Sequence, residues 1–287
     1  MVNVNKDLFG NEIIEDELLR DKFIEPPFSV LDAKSGNWQK RKRLWRSKGL
    51  KSELGRTAKI FNMQERLKEF ETLSDTSIFD PALCEVLYHW FCPEGGTILD
   101  PFAGGSVRGI VANYLGYKYT GIDIRQEQID SNREQALDIL PVNNQPQWYV
   151  GDSNVLLDGN WQTKFDFVFS CPPYADLEVY SDLDGDISNK PYEQFLELYE
   201  SIIAKSCNLL KSGCYACFVV GEVRDKNGYY IGFVPDTVKA FEKCGMKFYN
   251  EAILLSVIAS AAMRANGNMK NKKLVKVHQN VLVFKKI

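Results

Sequence analysis

Four residues, Cys171-Pro172-Pro173-Tyr174, carry the densest chemistry in this chain. They follow Phe165-Asp166-Phe167-Val168-Phe169-Ser170, an apolar run that predicts a buried strand. Two prolines directly after a strand end its hydrogen-bond ladder and stiffen the chain. The ring of Tyr174 is then presented from a rigid corner at the strand's carboxyl end, where open α/β sheets bind ligands. A rigid corner with an outward carbonyl and a ring suits gripping a flat base and accepting hydrogen bonds from its amino group.

A second constellation stands upstream. Leu99-Asp100-Pro101-Phe102-Ala103-Gly104-Gly105-Ser106 reads as a strand-to-helix turn. Its glycines let a ligand approach the backbone, and the following helix offers free N–H groups and a positive dipole end. The segment is not the G-x-G-x-x-G of dinucleotide sites. Asp100 would repel a pyrophosphate but suits a cationic ligand. Asp123, followed by Ile124, ends the next predicted strand, placed to accept from ribose hydroxyls. Asp152-Ser153 follows the strand after that, where an acceptor meets an adenine amino group. Any one of these aspartates reads equally well as a helix cap or turn residue. Three carboxylates at three consecutive strand ends describe a nucleoside site, and S-adenosylmethionine fits it better than a nicotinamide dinucleotide.

The elements that must position these groups alternate after about residue 75. Asp80-Pro81 predicts a capped helix from Pro81 to about Phe91. Strands are expected at Thr97–Asp100, Tyr117–Asp123, Gln147–Gly151, Phe165–Ser170, Cys214–Gly221, Lys247–Ser260 and Val275–Lys285. Helices are expected over Ser106–Leu115, Gln126–Leu140, Pro191–Leu210 and Pro235–Cys244. Seven strands with interleaved helices and a hairpin-like ending predict a parallel α/β sheet covered by helices. Residues 1–75 read as an irregular N-terminal extension with a helix at Met63–Thr72 and breaks at Pro26-Pro27, Gly36-Asn37 and Gly49. Residues 76–287 form the expected catalytic domain.

Composition excludes some classes. With 45% hydrophobic and 25% charged residues among 287, the chain reads as soluble and globular. It has no apolar run of membrane-spanning length, and Met1 to Asp7 lacks the layout of a secretory signal. The seven cysteines are scattered, which favours reduced thiols and a cytoplasmic setting. Cys214-Tyr215-Ala216-Cys217 has half the spacing of a zinc site, but on a strand these thiols face opposite sides, and no metal is expected. The net charge is −3, yet Lys40, Arg41, Lys42, Arg43, Arg46, Lys48, Lys51 and Arg56 crowd one stretch against only Glu53. Arg264, Lys270, Lys272, Lys273 and Lys276 form another. Each segment reads either as a solvated face or as a contact for a polyanion.

With Asp100-Pro101-Phe102-Ala103-Gly104-Gly105 and Cys171-Pro172-Pro173-Tyr174 both in place, the chain resembles the amino-group DNA methyltransferases, which make N6-methyladenine or N4-methylcytosine. The resemblance covers about Ser77 to Ile287. It implies a Rossmann-like, seven-stranded S-adenosylmethionine-dependent methyltransferase sheet with an antiparallel last strand. It also implies that Phe79 and Asp80 close over the methionine end of the cofactor. Leu8-Phe9-Gly10, Trp38-Gln39-Lys40-Arg41-Lys42 and His278-Gln279-Asn280-Val281-Leu282-Val283-Phe284 are similar to restriction-modification methylases carried by phages and prophages. One departure stands out. The family has Asp, Asn or Ser before Pro-Pro-Tyr, and here that place is Cys171, with Ser170 one step earlier. A thiol is a weak acceptor, so the Pro172 carbonyl is expected to act with Ser170, Asp176 or Glu178.

The expected reaction is a direct methyl transfer to an exocyclic amine aligned by fixed acceptors. Tyr174 stacks on a base flipped out of the duplex. Trp38, Lys40, Arg41, Arg43, Arg46, Arg264, Lys272 and Lys273 are expected to contact DNA, with Trp38 or Trp45 stacking or wedging. His89 and His278 are expected to be structural. Three alternatives stay beside this reading: methylation of guanine N2 in tRNA, a non-catalytic subunit that only binds cofactor and DNA, and ring-carbon methylation through Cys171. The last fits poorly, because the cytosine-C5 pattern places its cysteine after the proline.

Overall fold

The computed structural model describes residues 19–51, 79–174, 183, 185–256 and 261–287. In chain order they form α1 (Leu19–Phe23), β1 (Val30–Asp32), α2 (Gly36–Ser47), α3 (Pro81–Phe91), β2 (Thr97–Asp100), α4 (Val107–Tyr114), β3 (Lys118–Asp123), α5 (Gln126–Ile139) and β4 (Gln147–Val150). These are followed by α6 (Ser153–Leu156), β5 (Phe165–Ser170), a 3-10 turn (Ile187–Asn189), α7 (Tyr192–Leu209), β6 (Leu210–Val220), α8 (Phe233–Lys243), β7 (Met246–Leu255), α9 (Ala261–Lys270) and β8 (His278–Lys286). The predicted helix at 63–72 lies outside the described residues.

One sheet runs through these residues in the order β1-β7-β8-β6-β5-β2-β3-β4. β8 is antiparallel to both β6 and β7, and the other pairs are parallel. From β2 the chain steps outward through β3 to β4, then returns to the other side of β2 at β5. That reversal makes the carboxyl ends of β2 and β5 a topological switch point, where such sheets open a crevice.

The strands alternate as a doubly covered sheet requires. Ile98, Phe167, Phe169, Cys217, Val219, Val281 and Val283 pack into one buried cluster with α3 and α4. Leu99, Val168, Ala216, Phe218, Val220, Leu282 and Phe284 pack into the other with α7 and α8. Cys217 and Cys214 fall on opposite sides. All seven cysteines are free thiols. Among the described residues no helix is long and apolar enough to cross a membrane.

The N-terminal part differs from the expected irregular extension. β1 adds an eighth strand, pairing Val30 with Ile253 and Asp32 with Leu255. Gly36-Asn37, read as a break, instead opens α2. The Ser35 hydroxyl caps that helix by accepting from Trp38 N at 3.3 Å, and a glycine in the first turn removes no bond the helix needs. α6 and α9 also lay outside the expected elements. β7 ends at Leu255 rather than 260, and β8 begins at His278 rather than 275.

Candidate active site

The cofactor side is built on the ends of β2, β3 and β4. Asp100 is fully buried and does not face the crevice. Its Oδ2 accepts from Arg108 Nε at 2.5 Å and from the Tyr119 hydroxyl at 2.7 Å. Its Oδ1 accepts from the Ser170 hydroxyl at 2.5 Å and from Phe102 N at 3.2 Å. Burial disfavours the Arg108 charge, but Asp100 beside it overcomes that and raises the Arg108 pKa above its ordinary value. The expectation that Asp100 answers a cationic ligand is therefore corrected: its charge is compensated inside the protein. Arg108 also donates to the carbonyls of Phe102 and Ala103, at 2.6 and 2.8 Å, and so shapes the glycine turn from behind. Sequence reasoning missed Arg108, because nothing local shows that a helix-borne arginine lies under that turn.

The turn itself needs Gly104. Its φ is +51°, and a side chain there is strained. Gly104 N donates to Asp123 Oδ2 at 3.0 Å, and Arg125 N donates to Asp123 Oδ1 at 2.9 Å. Asn132 donates to the Gly104 carbonyl at 2.7 Å. Burial pushes the Asp123 carboxyl up from its ordinary range, against the pull of Arg125 and these two amides. Asp123 thus stands beside the turn with its orientation fixed.

Asp152 divides its two oxygens. Oδ1 accepts from Asn154 N at 2.7 Å and caps α6, while Asp152 also lines a cavity of about 610 Å³ with Ile124, Leu183, Gly185, Lys190 and Leu198. Three aliphatic side chains and a carboxylate suit a flat base carrying an amino group. A Cβ on Gly185 would fall 2.9 Å from Ile124 Cδ1, so glycine lets this wall close.

Other expected cofactor residues act on the scaffold. Ser106 Oγ donates to Gln135 at 2.6 Å, and Ser153 Oγ donates to the Pro101 carbonyl at 2.5 Å. Phe79 stacks edge-on against Phe169 and lies 4.6 Å from the Arg108 guanidinium. Asp80, expected over the cofactor, is instead engaged by protein. It accepts from Ala82 N and from Trp38 Nε1, each at 3.0 Å, and Lys42 Nζ lies at 3.4 Å. The expected stacking of Trp38 or Trp45 on DNA is overturned. Both are buried, at 1% and 3% exposure, because α2 lays them against α3. Trp45 and Arg41 both donate to Glu85, Arg41 in a 2.5 Å ion pair, so Arg41 serves this packing. Lys40, Arg43, Arg46, Arg264 and Lys272 are exposed.

The second side of the crevice is the corner after β5. Pro172 is buried, and Cys171, Pro173 and Tyr174 are half-buried. Ser170 is fully buried on Asp100, which removes its hydroxyl from the expected role toward a base. Asp176 and Glu178 lie outside the described residues. The Tyr174 ring packs edge-on against Phe233, and its hydroxyl accepts from Gln279 Nε2 at 2.7 Å. Cys171 Sγ lies 3.9 Å from the same hydroxyl. Gln279 was missed as a site residue; it enters from β8, which the sheet brings alongside β6. Glu222 at the end of β6 accepts from Gly232 N and Phe233 N, at 3.0 and 2.9 Å, and caps α8 beneath Tyr174. Burial, and then Lys276, lowers the pKa of His278, the neighbour of Gln279.

The strand order with its antiparallel last strand, together with the glycine turn and the Pro-Pro-Tyr corner at the switch point, defines a Rossmann-like methyltransferase fold. Residues 19–134 match the family model for N6 and N4 methyltransferases, described as DNA methylase. The match begins well before Ser77, where the motif resemblance begins, and takes in α1 to α3. No curated protein matches the chain. Among solved structures, TrmN from Thermus thermophilus is 15% identical with a TM-score of 0.48, over 73% of this chain and 49% of that one. The chain therefore spans about half the length of that protein. The TehB-like SAM-dependent methyltransferase from Corynebacterium glutamicum is 19% identical with a TM-score of 0.45, over 79% of this chain and 97% of that one. Magnesium protoporphyrin IX methyltransferase from Synechocystis, solved with bound SAM, is 14% identical with a TM-score of 0.45, over 72% and 79%.

Proposed function

We propose that this protein is an S-adenosylmethionine-dependent methyltransferase that modifies the exocyclic amine of a flipped-out DNA base, N6 of adenine or N4 of cytosine. The observation that carries this reading is the shared switch point. The glycine turn after β2 and the Cys171–Tyr174 corner after β5 leave adjacent strands, and the Ser170–Asp100 bond ties the two ends together.

The residues present fit the cofactor. Asp123 would take the ribose hydroxyls, and Asp152 with Ile124, Leu183 and Leu198 would take the adenine. Gly104 and Gly105 would let the cofactor reach the backbone. When bound, S-adenosylmethionine supplies a methyl group already activated by its sulfonium.

The rest is alignment by the chain. An exocyclic amine is a poor nucleophile because its lone pair is shared with the ring. Fixed acceptors at its hydrogens favour the pyramidal nitrogen that develops positive charge. The Pro172 carbonyl, on a backbone stiffened by two prolines, would serve as one, and Tyr174 would stack on the base. Gln279 holds the Tyr174 hydroxyl and so sets the ring's tilt. Lys40, Arg43, Arg46, Arg264, Lys272 and Lys273 would meet backbone phosphates.

The test is nucleoside mass spectrometry of DNA and of RNA, each incubated with protein and S-adenosylmethionine. N6-methyladenine or N4-methylcytosine in DNA is expected. Methylated guanine in RNA alone, or no modified base, would overturn the proposal. Tyr174→Ala is expected to abolish most methyl transfer while leaving cofactor affinity unchanged.

A further inference from the structure

The loop from β6 to α8 is a short closed hairpin. Arg224 and Tyr230 bridge antiparallel. Asp225 N donates to the Tyr229 carbonyl, and Tyr229 N donates to Asp225 Oδ1, each at 2.8 Å. Arg224 Nη1 donates to the Gly228 carbonyl at 2.7 Å, and its guanidinium lies 3.9 Å from the Tyr230 ring centre. The backbone is thus tied down, yet Tyr229 is 73% exposed and Tyr230 52%. The core does not use these rings.

A second segment completes the surface. α9 and its link to β8 carry Arg264, Lys270, Lys272, Lys273 and Lys276, with no acidic residue between Ala261 and Val277. Met263, Met269 and Leu274 are exposed beside them. Lys273 lies over Gly228, whose φ is +90°, and a Cβ there would overlap the lysine's Nζ and Cε. The positive φ favours glycine there, and the lysine's end crosses directly over it, so the hairpin and the basic link meet in one face.

That face is wired to the candidate corner at both ends. The hairpin leaves β6 through Gly221, where an added Cβ would meet the Tyr174 ring at 3.8 Å. The basic link enters β8 one residue before Gln279, which holds the Tyr174 hydroxyl.

We infer that the Arg224–Tyr230 hairpin and the α9 link together read the duplex flanking the target base. The cations meet backbone phosphates, and Tyr229 enters the groove or the gap left by the extruded base. Charge complementarity selects the partner: this face is cationic on a chain whose net charge is −3. Exposed rings interleaved with the cations suit base stacking rather than phosphate contact alone. The inference rests on the DNA reading above and adds the element that supplies sequence contacts.

The experiment uses the full chain, its methylation site mapped by sequencing modified bases, and two duplex oligonucleotides, one with that site and one without. Tyr229→Ala is expected to lower kcat/KM at the site at least tenfold, with cofactor affinity and thermal melting unchanged. The paired change Arg264→Ala with Lys272→Ala is expected to weaken binding to both duplexes alike and to reduce the salt slope by about 2. If wild-type protein methylates DNA and both variants match it in binding and turnover, the inference fails and the proposed function stands. If wild-type protein methylates no DNA, the proposed function itself fails, whatever the variants do.

Discussion

The two sides of the crevice are held in different ways. On the side of β2, β3 and β4, each carboxylate is already engaged by protein: Asp100 by Arg108, Tyr119 and Ser170; Asp123 by two backbone amides; Asp152 by the first turn of α6. On the side of β5, β6 and β8, two prolines stiffen the Cys171–Tyr174 corner, and its contacts include the packing of Tyr174 on Phe233 and the bond from Gln279 across the sheet. The first side is preorganised from beneath, so ligand binding there orders little. The second is stiff in its backbone and adjustable in its ring, which suits a group that must admit a base arriving from outside. Damage to the first should show as lost stability, and damage to the second as lost turnover.

The largest expected effect tests the first side. Arg108→Ala leaves the Asp100 carboxylate buried without its cation, and removing one partner of a buried pair costs about 3–5 kcal/mol. Denaturant unfolding measures this directly. A loss under about 1 kcal/mol would mean that Tyr119 and Ser170 suffice to hold Asp100.

The second side predicts the opposite pattern. Tyr174→Phe and Gln279→Leu each remove the same 2.7 Å bond. Each should lower kcat/KM by about tenfold, equivalent to about 1.4 kcal/mol, while stability moves by less than that. The double variant should be no worse than either single one, because the bond is lost only once. Additive losses would show that Gln279 acts on the reaction by some route other than Tyr174.

The packing of α2 on α3 predicts a smaller effect. Trp38→Phe keeps the ring in the core but removes the donor to Asp80, at a cost of about 1 kcal/mol. If turnover falls and stability does not, Asp80 reaches the cofactor despite its protein partners.

These contrasts also explain what the sequence made legible. β2, β5 and α3 were readable because each signal is local: alternating apolar residues, a proline pair, an aspartate before proline. β1 was not, since three residues with only Leu31 buried show no period. α2 hid in a run of Lys and Arg. Its signal was Trp38 and Trp45, two turns apart on one face, behind the Ser35 cap. From sequence those rings read as DNA wedges, because a tryptophan among cations looks exposed until its partner helix is known. Gln279 and Tyr174 are 105 residues apart, and Arg108 meets Asp100 only once α4 lies on the sheet. Contacts of that kind are set by topology, which no local pattern records.

The smallest expected effect joins the carboxylates to pH. Burial raises the Asp123 pKa in the folded protein above its unfolded value. The stability tied to this group is therefore fully present below the ordinary carboxylate pKa and is lost as pH rises through the raised one. Ribose hydroxyls donate to the ionised form and favour it, so binding the proposed cofactor draws the pKa back down and releases a proton. Affinity for S-adenosylmethionine should accordingly fall by a few-fold, roughly 1 kcal/mol or less, as pH drops from neutrality through the raised carboxyl pKa. Asp123→Asn should bind more weakly at neutral pH and lose this dependence, because an amide has no proton to exchange. Calorimetric titration across that range decides it. A flat wild-type profile, or a slope that survives in the Asn variant, would move the ribose contact away from Asp123 and leave it a bracket for the Gly104 turn alone.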